Sequence, residues 1–145
     1  MRRNKLLNVI FLFVLLALID SSYLGYIHYG NSNNVLCNLS ENLNCDKVNN
    51  SIYSVFPPGN GVSVALISVF VFAFISILII LIKKKKLNVK IWENIIFYIV
   101  LLGFLFSLGL LYVSIFILYS FCLFCLMLDL LILIILILMI ILKRK

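Results

Sequence analysis

The apolar run over residues 91–142 constrains the fold more than any other feature of the chain. An α-helix rises ~1.5 Å per residue, so one helix of this length would be more than twice as long as the ~30 Å hydrocarbon core of a bilayer is thick. We therefore predict a hairpin of two membrane spans. Its turn is expected within residues 112–120, where polar groups come from Ser114, Tyr119 and Ser120.

Two further apolar runs, over residues 6–27 and 62–82, complete a set of four spans. The chain has 145 residues, is 65% hydrophobic and has a mean hydropathy of +1.23, which is typical of a membrane protein. The first run could be a signal peptide, but its apolar core is long and no A-x-A-like site follows, so we expect a retained helix. We predict one all-α integral membrane domain over residues 1–145, a four-transmembrane-helix bundle with spans at about 6–27, 62–82, 92–112 and 121–142.

The polar stretch over residues 28–61 is predicted to be an extracytoplasmic loop between the first two spans. We expect a short surface helix over residues 45–56 within it. Asp46 would lie in the first turn of that helix, where the helix dipole favours a negative charge. The sequence Pro57-Pro58-Gly59 would then end the helix and turn the chain.

The net charge of +7, from 12 basic and 5 acidic residues, is better explained by topology than by nucleic-acid binding, which we do not expect. The basic residues stand at the ends of the apolar runs instead of forming one patch. With both termini inside, every basic residue except Lys47 falls on the cytoplasmic side, as the positive-inside rule requires. We therefore predict a multi-pass protein of the cytoplasmic membrane, with both termini cytoplasmic and all four cysteines at the outer face.

The four cysteines form two pairs, Cys37 with Cys45 in the loop and Cys122 with Cys125 in a C-x-x-C at the head of the fourth span. Two structural disulfides would persist on the oxidising side of a membrane, although a C-x-x-C bridge within a helix is a poor staple. A zinc site is disfavoured because the loop spacing exceeds the usual C-x₂₋₄-C, so no metal is expected. A third interpretation is a relay, in which the loop pair takes electrons from a soluble dithiol protein. Thiol–disulfide exchange would pass them to the helix pair and then to a membrane quinone.

Four motifs follow one another in a specific order. Ser21-Ser22-Tyr23-Leu24 with His28 ends the first span, and Cys37 is followed by Cys45-Asp46-Lys47-Val48-Asn49-Asn50-Ser51. Tyr53-Ser54-Val55-Phe56-Pro57 comes next, and Cys122-Leu123-Phe124-Cys125 opens the fourth span. In this order, with the loop pair first and the C-x-x-C last, the chain resembles the vitamin K epoxide reductase family in its bacterial and archaeal form. The resemblance covers most of the chain.

The resemblance implies a role for each cysteine and for the molecules they meet. Cys37 would contact the partner, Cys45 would pair alternately with Cys37 and with Cys122, and Cys125 would act on the quinone. The implied acceptor is a membrane quinone of the ubiquinone, menaquinone or vitamin K type. The implied partner is a separate thioredoxin-like extracytoplasmic protein, because the fused thioredoxin-like domain of many bacterial members is not expected here. The net effect would be support of disulfide bond formation.

Three further positions are predicted to lie at the quinone. The resemblance implies that Ser51 orders the site and that Phe56 packs over the quinone, although Pro57-Pro58-Gly59 replaces the Gly-x-Pro that often follows this aromatic residue. Asp129 stands where animal members have a Tyr, one helical turn deeper than Cys125. Because an acid within a span is costly and usually functional, we predict that Asp129 contacts the quinone or relays its protons. The alternative is a structural hydrogen bond to a Ser or Tyr of another span.

Two other functions fit the same residues. A small four-helix proton-coupled transporter would use Asp20 or Asp129 and would carry the cysteines as structural bridges. A scaffold protein would hold two inert disulfides. Asp20 itself is expected at the outer interface, hydrogen-bonded to Ser21, Ser22 or another neighbour. We favour the thiol oxidoreductase, and the absence of a nicotinamide- or flavin-binding motif supports a quinone as its acceptor.

Overall fold

The computed structural model describes residues 2–30, 40, 42, 44–84 and 88–144. Within these ranges lie five α-helices, α1 (Arg2–Tyr29), α2 (Cys45–Asn49), α3 (Val64–Lys83), α4 (Val89–Val113) and α5 (Leu123–Arg144). All of them except α2 are long and apolar enough to cross a membrane. The predicted all-α bundle of four membrane spans is confirmed.

The turn between the third and fourth spans is shorter than predicted. The chain continues α4 through Val113 and then makes one π-helical turn, Ser114–Leu118, before Tyr119 reverses it with a φ of 49°. The Ser114 hydroxyl donates to the Ser120 carbonyl, and the Ser120 N–H donates to the Ser114 carbonyl at 3.3 Å. The turn lies within the predicted range of residues 112–120, and it is short because these two serines bond to each other across the reversal and do not interrupt the helix.

Side chains of α1, α3 and α5 form most of the core of the bundle, and α4 adds the buried Ile96 and Val100. Fully buried apolar residues recur on their inward faces at helical spacing and include Ile10 and Val14 of α1, Ile75 and Ile79 of α3, and Ile135 of α5. By contrast, α4 packs mainly on α5 and makes few contacts with α3. The contact between α3 and α4 is therefore looser than the contacts of α1 with α3 and α5 and of α4 with α5.

One end of the bundle, called here the basic end, holds the start of α1 and the end of α5. Arg3 of α1 pairs there with Glu93 of α4 at 3.2 Å. The Lys143 ammonium of α5 lies 4.3 Å from the centre of the Phe97 ring. The described cysteines lie at the opposite end, where α2 and α5 begin, and this end is called the cysteine end.

The connection between α1 and α3 differs from the predicted helix over residues 45–56. The helix α2 ends at Asn49, and a 3₁₀ turn (Ile52–Ser54) leads into a hairpin in which β1 (Val55–Phe56) pairs antiparallel with β2 (Val62–Ser63). The helix stops early because the Ser51 hydroxyl bonds back to the Val48 carbonyl at 2.8 Å while the Ser51 backbone is extended. Asp46 does lie in the first turn, as predicted.

Two glycines shape the tip of this hairpin. Gly59 has a φ of 99°, a conformation that residues with a side chain rarely adopt. A Cβ placed on Gly61 would collide with the Phe56 carbonyl, so the chain can fold back on β1 only without a side chain at this position. The tip thereby sets the position of Phe56, which is paired with Val62 of β2.

Candidate redox site and cavity

Cys122 and Cys125 flank the start of α5, and both are free thiols. Cys122 is buried, with 1% of its surface exposed, immediately before the helix. Its sulfur accepts the Cys125 backbone N–H at 3.3 Å and so takes the place of an N-terminal cap. The N–H groups of a first helical turn stabilise negative charge, so this position suits a thiolate that attacks or leaves a disulfide.

Cys45 begins α2 and is fully buried. It is disulfide-bonded, and it forms one buried cluster with Leu24 of α1 and with Cys122. Cys125 packs against the same cluster. The structure thus brings the second loop cysteine next to the helix pair, whereas Cys37 lies outside the described residues.

Hydrogen bonds to the end of α1 hold α2 beside the cysteines. The Asn49 side-chain amide donates to the Leu24 carbonyl at 3.0 Å, and His28 Nδ1 donates to the Asn49 carbonyl at 2.7 Å. Sequence reasoning gave Asn49 no role. In a stretch rich in asparagine, no local pattern distinguishes the buried Asn49 from its exposed neighbour Asn50.

A backbone bridge joins the segment before Cys45 to the segment before Cys122. The Phe121 N–H donates to the Asn42 carbonyl at 2.7 Å, and the Phe121 carbonyl accepts the Asn44 N–H at 3.1 Å. Cys45 and Cys122 therefore each directly follow a residue whose backbone is hydrogen-bonded in this bridge, Asn44 and Phe121 respectively. Because main-chain atoms alone form the bridge, the sequence carries no side-chain signal for it.

A cavity of about 480 Å³ lies beside the helix cysteines, between α3, α4 and α5. Its walls are almost entirely apolar, and residues of α2 and of the hairpin border its outer part. Among the described residues, α1 contributes only Leu24 to the wall. The predicted site residues on the wall are Ser51, Phe56, Cys122, Cys125 and Asp129.

Ser51 and Phe56 border the cavity in different ways. The Ser51 hydroxyl is engaged by a backbone carbonyl of α2, and the Ser51 carbonyl accepts the Ser54 hydroxyl at 2.7 Å. Ser51 therefore orders the turn rather than presenting a free polar group. Phe56 is 58% exposed, and its ring makes a T-shaped contact with that of Phe106 on α4, with 6.2 Å between centroids.

Asp129 lies on the cavity wall one helical turn deeper than Cys125. The Ser107 hydroxyl of α4 lies close enough to interact with its carboxyl. That hydroxyl also lies 3.0 Å from the Phe104 carbonyl, to which it can donate. Asp129 therefore lies near a serine of another span, as the structural alternative predicts. It also lies on the cavity wall, as a contact with a quinone requires. Ser107 was missed from sequence, although a serine inside a long apolar run is a signal that could have identified it.

Asp20 on α1 is placed differently from the expectation. Ser21 and Ser22 donate their hydroxyls to the Leu18 carbonyl, at 3.1 and 2.7 Å respectively. Asp20 Oδ2 is buried and has no hydrogen-bond partner among the described residues. The predicted bond to a neighbouring serine was wrong because serines within a helix bond back to the carbonyl three or four residues earlier.

Comparison with known proteins agrees with the resemblance seen in the sequence. Residues 8–140 match the family model described as the Vitamin K epoxide reductase family. The matched range covers nearly the whole chain and includes the four cysteines and the three predicted quinone residues. A search of the curated proteins finds no match to this chain.

Proposed function

Because the chain belongs to the vitamin K epoxide reductase family and is therefore a membrane-embedded thiol oxidoreductase, we propose that it links a thioredoxin-like protein to a membrane quinone. Electrons enter at Cys37 and Cys45, pass to Cys122 and Cys125, and leave to a quinone in the cavity. The partner is oxidised, which supports disulfide bond formation. One observation carries the proposal: Cys45 is buried against Cys122, while Cys125 borders an apolar cavity.

The first half of the proposed reaction consists of thiol–disulfide exchanges. The partner's dithiol reduces a Cys37–Cys45 disulfide and is itself oxidised. The Cys45 thiolate then attacks Cys122 of an oxidised helix pair, so that a Cys45–Cys122 bond forms and the electron pair of the broken bond stays on Cys125. Attack by Cys37 on Cys45 restores the loop disulfide and leaves the helix pair as a dithiol. Burial of Cys45 against Cys122 supports the middle step, because attack needs the two sulfurs to approach closely.

The second half takes place at the cavity, whose size and polarity fit a quinone ring. Its volume of about 480 Å³ lies within the range of roughly 300–1,000 Å³ that is common for small-molecule sites. A bound quinone supplies an acceptor for the two electrons of the helix dithiol and for two protons. Cys125 faces that acceptor, Asp129 with Ser107 holds a quinone oxygen and moves a proton to it, and Phe56 with the turn that Ser51 orders excludes water from the outer side.

The seam between α3 and α4 is the proposed route by which the quinone enters. Residues of both helices line the cavity, and the two helices make few contacts with each other. A hydrophobic tail can therefore lie along this seam and remain in lipid. The quinone is of the ubiquinone, menaquinone or vitamin K type, which share a ring and an apolar tail.

The proposed orientation places both termini in the cytoplasm and the cysteine end outside. The charged residues of the basic end support this orientation under the positive-inside rule. A separate extracytoplasmic thioredoxin-like protein then meets the loop that contains Cys37. Membership in an oxidoreductase family disfavours the transporter and the inert scaffold.

A coupled assay tests the function. The protein is reconstituted in lipid nanodiscs with a quinone and a reduced thioredoxin-like protein, and quinone reduction is followed by ultraviolet absorbance. Cys45→Ser and Cys125→Ser should each reduce the rate to the uncatalysed background, because each removes a sulfur that no other cysteine replaces. Assays with ubiquinone, menaquinone and vitamin K in parallel identify the preferred acceptor. Retention of the wild-type rate by both folded variants would refute the function.

A further inference from the structure

We propose that Asp20 exchanges a proton with the Cys122–Cys125 pair from the α1 side, away from the quinone cavity. The inference rests on the proposed function and deepens it. It gives the thiol pair two carboxyls with different tasks, Asp129 toward the quinone and Asp20 toward the sulfurs.

The position of Asp20 on α1 brings it to the thiols. Asp20 and Leu24 lie one turn apart on the same face of the helix, since four residues rise ~6 Å. Leu24 packs in the buried cluster that contains Cys45 and Cys122. The helix α5 packs against α1 and runs in the opposite direction, so the position one turn below Leu24 corresponds to the first turn of α5, which holds Cys125.

The Asp20 carboxyl makes no hydrogen bond to the serines that follow it. Its Oδ2 is buried and lacks a hydrogen-bond partner among the described residues. The two serines that follow it donate to the Leu18 carbonyl instead. A buried carboxyl without a partner is costly, and this cost is offset if the oxygen shares a proton with a neighbouring thiol.

The two carboxyls stand on different sides of the thiol pair. Asp129 is on the cavity wall, whereas α1 contributes only Leu24 to the described part of that wall. Asp129 can therefore exchange a proton with a molecule in the cavity. Asp20 lies one turn from the buried thiol cluster and is not among the described residues that border the cavity.

Few other acidic or basic groups lie on the elements packed around α1. The helix α5 contributes the two thiols and Asp129, and α2 contributes Asp46 and the exposed Lys47. The helix α1 itself carries His28 two turns beyond Asp20. The described lysines and arginines of α3, α4 and α5 lie at the basic end, as does Glu93. The thiols are the proposed proton partners of Asp20, because Asp129 borders the cavity and the other charged groups lie toward the two ends of the bundle.

The proposed step is balanced in atoms and electrons. When the Cys45 thiolate attacks the oxidised helix pair, the Cys45–Cys122 bond forms, the Cys122–Cys125 bond breaks, and the protonated Asp20 gives its proton to the Cys125 sulfur. When the dithiol is oxidised again, two electrons pass to the quinone, one thiol proton returns to Asp20 and the other goes to the quinone. The second quinol proton comes from water. It balances the proton that Cys45 released to water when it became a thiolate. Asp20 thus ends the cycle as it began.

The test measures the thiols without any quinone. In nanodiscs, the Cys37→Ser/Cys45→Ser protein keeps only the helix pair, whose alkylation by N-ethylmaleimide is followed as a function of pH. With Asp20 present, we expect a rate profile with an additional titration step, because neighbouring ionisable groups titrate as a coupled set. Asp20→Asn should lose that step, Asp20→Glu should keep it, and Glu93→Gln, which removes an acid at the basic end, should leave the profile unchanged.

A second measurement uses the chain with all four cysteines. Asp20→Asn should lower the rate of quinone reduction by about 100-fold, the usual scale of a lost acid–base group, and Asp20→Glu should restore most of it. If Asp20→Asn does not fold, the smaller Asp20→Ser takes its place in both measurements.

Unchanged alkylation and turnover profiles in the Asp20 variants would overturn this inference and leave the relay intact. Failure of the proposed function itself would give a different result. In that case Cys125→Ser would retain quinone reduction, whichever residue stands at position 20.

Discussion

The two ends of the bundle differ in the regularity of their backbone and in the side chains that they bring together. The basic end consists of regular helices tied by contacts between charged and aromatic side chains, such as the Arg3–Glu93 pair. The cysteine end is irregular, with a five-residue helix, a π-helical turn and a small hairpin, and it gathers the described cysteines. Irregular backbone at the edge of a membrane is tolerated where protein or a cavity covers it. The charged groups that are proposed to set the orientation in the membrane therefore lie at one end, and the cysteines proposed to carry the chemistry lie at the other.

After the cysteine substitutions, the largest effect on quinone reduction is expected from a substitution at the cavity wall. Asp129→Leu should slow quinone reduction by about 100-fold, because it removes the carboxyl that is proposed to pass a proton to the quinone. The measurement is a single turnover of the reduced helix pair with quinone. Ser107→Ala serves as the comparison, since it removes the serine partner and keeps the carboxyl. Equal losses of thermal stability in both variants, with normal turnover in both, would support the structural alternative for Asp129.

A smaller effect is expected where α2 is held to α1. Asn49→Leu removes the bond to the Leu24 carbonyl and leaves a buried acceptor unpaired, which costs about 1–3 kcal/mol of folding stability. It should also slow exchange between Cys45 and Cys122 by about 10-fold, the equivalent of ~1.4 kcal/mol. Stopped-flow alkylation reports the exchange. The exposed Asn50→Leu is the matched control and should behave as wild type; equal slowing in both variants would contradict a specific role for Asn49.

The hairpin offers a test with a milder outcome. Gly61→Ala places a methyl group against the Phe56 carbonyl and must shift β1 or β2. We expect the KM for quinone to rise several-fold with little change in kcat, because Phe56 is proposed to pack over the quinone. Gly109→Ala is the control, since a Cβ there meets no atom within 4 Å. A KM that stays at the wild-type value would remove Phe56 from the site.

The smallest effect is expected at the basic end. Arg3→Ala breaks the ion pair with Glu93, in which the Arg3 side chain is half-exposed. Pairs of this kind contribute about 0–1 kcal/mol, so thermal stability should change little and quinone reduction should not change. A large loss of turnover without loss of fold would show that the two ends are not separate in function.

The spans could be read from sequence because the bilayer fixes their length, whereas the connections could not. The turn within residues 112–120 is shorter than predicted because Ser114 and Ser120 bond to each other, and the predicted 45–56 helix was too long because Ser51 bonds back to α2. These are local competitions between side chain and backbone that an apolar pattern does not record.

The features of the candidate site also divide into those that the sequence predicts and those that only the structure shows. The cysteines, Ser51, Phe56 and Asp129 could be proposed from motif order and from the rarity of acids in spans. The contacts of Asn49 with Leu24 and of Ser107 with Asp129 could not, because they depend on how two helices are aligned. The isolation of Asp20 likewise appears only once its serine neighbours are seen to bond elsewhere.

The passage of electrons from the loop to the helix pair through Cys45 and Cys122 is the central claim, and disulfide mapping tests it most directly. The Cys37→Ser/Cys125→Ser protein keeps only these two cysteines, and after mild oxidation in nanodiscs its disulfides are identified by mass spectrometry. We predict an intramolecular Cys45–Cys122 bond in most molecules and far less bridging in the Cys37→Ser/Cys122→Ser control. Two free thiols in the first variant, or equal bridging in both, would contradict the account.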